Sequence, residues 1–199
     1  MSSNRTERTL FTLTRCGLLA AMAVILYYIE IPVVAFYKLD LSAMPAILAG
    51  FAMGPIQGIA IIVIKNLVHV MATSTMGVGE LADLLMSSSF VVTASLIYRS
   101  RKTRRGALIS LTSGTAAIAV VGGLVNYFVM IPAYQVMMNL PLEVILGMGQ
   151  AVIPNIDSAL DLVLMITVPF NLLKGVVLSL VTYLLYKRVS PMLHMKSGR

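Results

Sequence analysis

Long apolar runs, separated by short polar breaks, make up most of this chain and leave it few possible folds. A helix needs roughly 20 apolar residues to cross the hydrocarbon core of a bilayer. Only 12% of the 199 residues are charged, against 58% hydrophobic, whereas soluble domains carry about 25% charged residues. The expectation is an all-α membrane protein: a six-transmembrane-helix bundle over residues 10–29, 43–53, 56–71, 80–98, 107–130 and 159–187, forming one domain across 1–199. The second helix is too short to cross a bilayer straight, because each residue advances only about 1.5 Å.

The net charge of +7 raises nucleic acid as a partner, but the placement of the charge argues against it. Of the 15 basic residues, all but Lys38, Lys65 and Lys174 fall into three groups. Arg5, Arg8 and Arg15 precede or open the first run. Arg99, Arg101, Lys102, Arg104 and Arg105 follow the fourth. Lys187, Arg188, Lys196 and Arg199 follow the last. An even number of helices puts the three groups on one side, which the positive-inside rule makes cytoplasmic, with both termini there. Anionic lipid or a cytoplasmic partner is a secondary use of the same charge. A lone cysteine, Cys16, excludes an intramolecular disulfide.

The three remaining lysines carry the functional reading. Lys174 lies deep in the last apolar run, and an ammonium there must face protein, water or ligand. Asn171 shares its helical face, and Pro169 removes a backbone donor just before both. Lys65, Asn66 and His69 form a second deep polar group in the third run. Asn126 falls near the outer end of the fifth. Glu80 and Asp83 open the fourth, where an acid favourably opposes the helix dipole; that role is taken as sufficient for Asp83. Residues 30–42 read as an external loop folded over the protein, and 132–158 as the longest external loop. Asn155 and Asp157 are candidate caps for the last helix. Gly17 and Ala21, with Ala20 beside them, make a strip of small residues that a second helix can approach closely.

Several chemistries are missing. There is no GxxxxGK[ST] loop, HExxH, paired-cysteine pattern or GxSxG elbow, so neither nucleotide hydrolysis nor a metal site is expected. What remains is a non-catalytic set of polar groups near the outer half: Glu80, Asn126, Asn171 and Lys174, capped by residues 38–42. An asparagine offers donors and an acceptor together, which suits a flat heterocycle with alternating carbonyl and N–H groups in an otherwise apolar pocket.

The strings KLDLSAMPAILAGFAMGPIQG from Lys38, IKNLVH from Ile64, GELADLL from Gly79, NYFVMIPAY from Asn126 and VPFNLLKGVVLSLV from Val168 together carry a family resemblance. In that order the chain resembles the riboflavin-specific substrate-binding (S) components of energy-coupling factor (ECF) transporters. The stretch from Met148 to Asp161 does not match that pattern. The resemblance implies riboflavin as transported ligand, with no resident cofactor. It implies contacts from Glu80, Asn126, Asn171 and Lys174 and closure by Leu39, Asp40 and Leu41. Gly17, Ala20 and Ala21 would dock onto a transmembrane coupling subunit, with two ATPase subunits supplying hydrolysis. The expected setting is the bacterial cell membrane. An S component for flavin mononucleotide or another vitamin, and a stand-alone transporter, stay open as alternatives.

Overall fold

The computed structural model describes residues 3–34 and 37–194, so Lys196 and Arg199 lie outside the described residues, as do the side chains of Arg5, Arg8, Lys187 and Arg188. Helix α1 spans Ser3–Tyr27 and leads into a two-stranded antiparallel hairpin, β1 (Ile31–Val34) and β2 (Tyr37–Leu39). Ile31 pairs with Leu39, and the register shifts between Pro32 and Val34. A proline cannot donate to a ladder, which a two-stranded ribbon with open edges tolerates. The expected loop at residues 30–42 is therefore partly sheet.

Helix α2 (Ala43–Ala52) is short, apolar and almost wholly buried. Gly54 at φ +121° makes the turn into α3 (Pro55–His69), where Pro55 occupies the first turn and loses no hydrogen bond there. A 3₁₀ turn, Val70–Ala72, extends α3, and α4 runs Val78–Ser100. The Thr103 side chain accepts from Gly106 N to start α5 (Arg104–Val125).

Two later helices are continuous but not uniform. A π-helical turn, Asn126–Met130, carries α5 into α6 (Ile131–Met137), and a second, Val163–Thr167, joins α8 (Ala159–Leu162) to α9 (Val168–His194). Each ends two residues before a proline, Pro132 or Pro169. A proline removes one helical hydrogen bond and crowds the preceding turn, and a wider π turn absorbs that locally. The region expected to be a long loop, 132–158, holds the end of the fifth apolar helix and a further helix, α7 (Leu142–Gln150). Ser158, not Asn155 or Asp157, caps α8, accepting from Asp161 N.

Among the described residues, five helical stretches are long and apolar enough to cross a membrane: Thr9–Tyr27, Pro55–Ala72, Val78–Ser100, Arg104–Met137 and Ala159–Tyr186. Helix α2 is apolar but falls short of that length. In lipid, apolar side chains gain little by leaving the tails, so helices associate through close packing and hydrogen bonds. The centre shows this: a Cβ on Gly50 of α2 would collide with the Ser95 side chain of α4. One apolar cluster gathers α2 with Ile61, Phe90, Leu111, Leu178 and Tyr186. A second lies under the hairpin around Tyr37, Met130, Tyr134, Ile145 and Phe170, and Met86 touches both.

Candidate ligand-binding site

Lys65 is fully buried, and its ammonium is held from three directions. Nζ donates to Asp83 Oδ2 at 2.6 Å and to Ser42 Oγ at 2.6 Å, and sits 4.3 Å from the centre of the Tyr27 ring. Asp83 also accepts from Asn66 Nδ2 at 3.0 Å and Ser87 Oγ at 2.9 Å. Lys174 donates to Asp40 Oδ2 at 2.8 Å and to Asp83 Oδ1 at 3.3 Å. Asp40 accepts in addition from the backbone N–H and hydroxyl of Ser42. Two lysines and two aspartates thus form an electrically balanced quartet joining the β2–α2 connection to α3, α4 and α9. Burial alone would push the Asp40 carboxyl up, but Lys174 and Lys65 outweigh it and hold it below the usual carboxylate range.

Nearer the hairpin, His69 bridges two acids. Its Nδ1 lies 2.8 Å from Glu80 Oε1 and its Nε2 3.6 Å from Glu30 Oε1, with the ring stacked on Tyr27 at 3.8 Å. The other Glu80 oxygen accepts from Thr73 Oγ1 at 2.9 Å, and Lys38 pairs with Glu30. A third group joins the hairpin to both π turns. The Tyr37 hydroxyl lies 2.5 Å from Thr167 Oγ1 and donates to Asn126 Oδ1 at 3.4 Å. Burial pushes the Tyr37 hydroxyl up to about 12, so it stays protonated.

These groups surround an open cavity of about 720 Å³, mouth included. Its polar wall includes Glu30, Lys38, Asp40, His69, Glu80, Asp83, Asn126 and Lys174, while Tyr37, Met86, Tyr134 and Phe170 supply flat or apolar surface. A concave, largely preformed site with a few convergent polar groups is the usual form of a small-molecule pocket.

Residues 11–186 match the family described as "ECF transporter, substrate-specific component". The chain belongs to that family. It is 32% identical over 180 residues to the riboflavin transporter RibU of Staphylococcus aureus (strain TCH60), covering 87% of each chain. It is 27% identical over 181 residues to the riboflavin transporter FmnP of Bacillus subtilis (strain 168), covering 88% of this chain and 90% of that one. The solved structure reported as "Structure and mechanism of the S component of a bacterial ECF transporter" superposes with a TM-score of 0.74 at 30% identity, over 94% of this chain and 99% of that one. The protein is thus a multi-pass bacterial membrane protein and a substrate-binding transport subunit rather than a catalyst.

Within this S component, Glu80, Asn126, Lys174 and Asp40 line the cavity. Asn171 does not. It is fully buried behind the wall, its Nδ2 donates to Thr167 O at 2.9 Å, and its Oδ1 has no hydrogen-bond partner among the described residues. It sits so close to α5 that a Cβ on Gly122 would lie 2.7 Å from Nδ2. Leu39 and Leu41 are half-buried in the chain entering α2 and are absent from the lining. Asp83 departs from its expected role: it lies beyond the first turn of α4 and its carboxylate is bonded to Lys65 and Asn66, so the helix dipole does not account for it. Ala20 also turns inward, into the core, while Gly17 and Ala21 are exposed on α1.

Sequence reasoning did not place Glu30, Tyr37, Tyr134 and Phe170 at the site, and it set His69 in a separate deep polar group. One signal did exist for the aspartates. Two deep lysines need compensating charge, and Asp40 and Asp83 are two of only eight acids in the chain. The aromatic wall has no such signal, because Tyr37 reaches it only through the hairpin.

Proposed function

We propose that the cavity under the hairpin is a riboflavin site and that the protein is the riboflavin-binding subunit of an ECF-type vitamin importer. The observation that carries the reading is a cavity lined by Asp40, Asp83 and Lys174, whose charges Lys65 balances from behind the wall, with Glu80 and Asn126 as further polar groups beside Tyr37, Met86, Tyr134 and Phe170. The charges of the quartet already cancel. A ligand that takes over hydrogen bonds from Lys174 leaves least uncompensated charge if it is itself neutral, polar and flat. A flavin ring meets those conditions, with carbonyl oxygens for Lys174 and ring N–H or hydroxyl donors for Glu80 and Asn126. The unpartnered Oδ1 of Asn171 offers a further acceptor after a side-chain rotation. The names of the relatives support the same ligand.

In the proposed orientation both termini and the basic α4–α5 connection face the cytoplasm, with α2 completing six membrane helices, and the hairpin cavity opens outward. Leu39, Asp40 and Leu41 form the hinge by which the hairpin closes over ligand. Riboflavin is cargo in this scheme, with no resident cofactor. Delivery then rests on a transmembrane coupling subunit and two ATPase subunits. The docking face is the exposed side of α1 around Gly17 and Ala21. Only 11% of the apolar window of α1 is buried, against 33–50% in the other four spans.

A second reading, flavin mononucleotide, draws on Lys38, whose side chain is 40% exposed at the rim and within reach of a phosphate. Competition at equilibrium separates these ligands. Riboflavin bound to the purified protein is displaced by unlabelled riboflavin and not by thiamin or folate. Displacement by flavin mononucleotide at lower concentration than by riboflavin reverses the order of the two readings, and no saturable flavin binding rejects both.

A further inference from the structure

Away from the ligand site, two surface cavities lie end to end along the seam of α5 and α9 and share Tyr183. The first, about 640 Å³ with its mouth, is walled by Leu108, Leu111, Val176 and Leu180. The second, about 530 Å³, is lined by Arg104, Tyr183, Leu184 and Tyr186. The seam is tight at its upper end, where a Cβ on Gly175 would lie 2.8 Å from Thr115 Cγ2. Just below, Thr115 and Ser179 bond each other at 2.9 Å and Ser179 donates to Leu111 O at 3.2 Å. Those hydroxyls are consumed between the helices and leave the groove apolar. From Thr115 down to Leu108 the groove runs about 10 Å by rise per residue, most of one leaflet of a ~30 Å core.

The groove ends at a cation. Arg104 is exposed and has no carboxylate partner among the described residues. No Asp or Glu occurs between Asp83 and Glu143, so Arg99, Arg101, Lys102 and Arg105 around it have no acid near them in sequence either. Tyr183, half-buried, lies beside it in the same cavity, and an amphipathic ring of this kind favours the headgroup level of a bilayer.

We propose that this groove is a binding site for one anionic phospholipid, its phosphate on Arg104 and one acyl chain along the α5–α9 seam. Charge complementarity selects this occupant. The apolar length takes a tail, and the cationic end takes the phosphate that every anionic phospholipid carries at the headgroup level. The site is independent of which vitamin the outer cavity holds.

The test uses the full chain in detergent, incubated with equal amounts of palmitoyl-oleoyl phosphatidylglycerol and phosphatidylcholine and analysed by native mass spectrometry. The wild type retains one phosphatidylglycerol with about fivefold preference, the effect of roughly one surface cation on an anionic lipid. Arg104→Gln removes the preference, and Leu180→Trp, which fills the groove, lowers retention of both lipids. Equal retention of the two lipids by the wild type, or an unchanged preference in Arg104→Gln, overturns the proposal. If Leu180→Trp keeps its lipid but no longer assembles with the coupling subunit, the groove belongs to a partner helix and the proposal fails.

Discussion

At the hairpin end of the bundle, Asp40, Lys65, Asp83 and Lys174 are each at most 5% exposed, and every one of these charges has a charged partner. At the opposite end Phe51, Tyr98 and Tyr186 are buried, stacked and edge-on, and among the described residues the buried polar groups beside them are hydroxyls such as Ser95 and Thr182. Both sets of side chains are buried, so fractional exposure does not explain the difference. A buried ion pair is weak support for a fold, since apolar residues of similar volume do as well or better. The Phe51–Tyr98–Tyr186 cluster is held by ring packing and one hydroxyl–hydroxyl contact. The quartet is better explained by the proposed ligand site than by stability.

The largest effect on that contrast is expected from Lys174→Met. It leaves Asp40 and Asp83 facing each other without their shared cation, and breaking one side of a buried ionic set costs about 3–5 kcal/mol. Thermal unfolding in detergent should show the loss, and a melting temperature unchanged from wild type would mean that the quartet is not held as described. Gly122→Val comes next. Its added methyls meet the Asn171 amide, where a Cβ alone already lies 2.7 Å away, and overpacking of this kind costs about 1–3 kcal/mol. The same change should weaken flavin binding by displacing Asn171; full stability and affinity would show that α5 and α9 can separate freely there.

Acid should act on one end only. Because the folded Asp40 carboxyl is held below its ordinary value of 3.8 by the two lysines, its contribution is complete above that value and is lost as pH falls through the depressed one. Melting temperature should stay level from pH 7 to about 5 and decline on further acidification, and Asp40→Asn should lack that share of the decline. An identical acid profile in the variant would show that the Asp40 charge contributes nothing to the folded state.

Much of this architecture was legible in the sequence, for physical reasons that can be named. Apolar runs long enough to span are self-declaring, so the apolar spans within α1, α3, α4, α5–α6 and α8–α9 lie close to the expected segments, although α1 begins earlier at Ser3, the fifth runs on to Met137 through a π turn and α9 continues to His194. Lys65 and Lys174 announced a buried site because an ammonium that deep must be met by an acid, water or a ligand. The hairpin was missed because Ile31–Val34 and Tyr37–Leu39 are too short to display alternation. Asp83 was misread because an acid near a helix start has a sufficient local reason to be there. Asn171 shares a helical face with Lys174, yet spacing along one helix does not report that α5 covers it at Gly122. Helix α7 was missed because its nine residues are too few to span and sit inside a stretch read as one external loop.

The smallest expected effect on the site comes from Gly17→Leu. A Cβ there meets nothing within 4 Å, and surface substitutions of this kind stay within about 0.5 kcal/mol. Riboflavin affinity should be unchanged, while co-purification with the coupling subunit should drop. Normal assembly would place the docking face elsewhere than on α1.

A riboflavin titration bears hardest on the proposed site, with purified wild type, Lys174→Met and Tyr98→Phe compared through the loss of flavin fluorescence. The wild type should quench saturably, one flavin to one chain. Its affinity should be within about twofold of that in Tyr98→Phe, whose lost hydroxyl contact lies at the far end. Lys174→Met should bind at least about tenfold more weakly, the scale of one charge-assisted hydrogen bond. Absence of saturable quenching in the wild type, or equal binding by Lys174→Met, would contradict a flavin site built on this lysine.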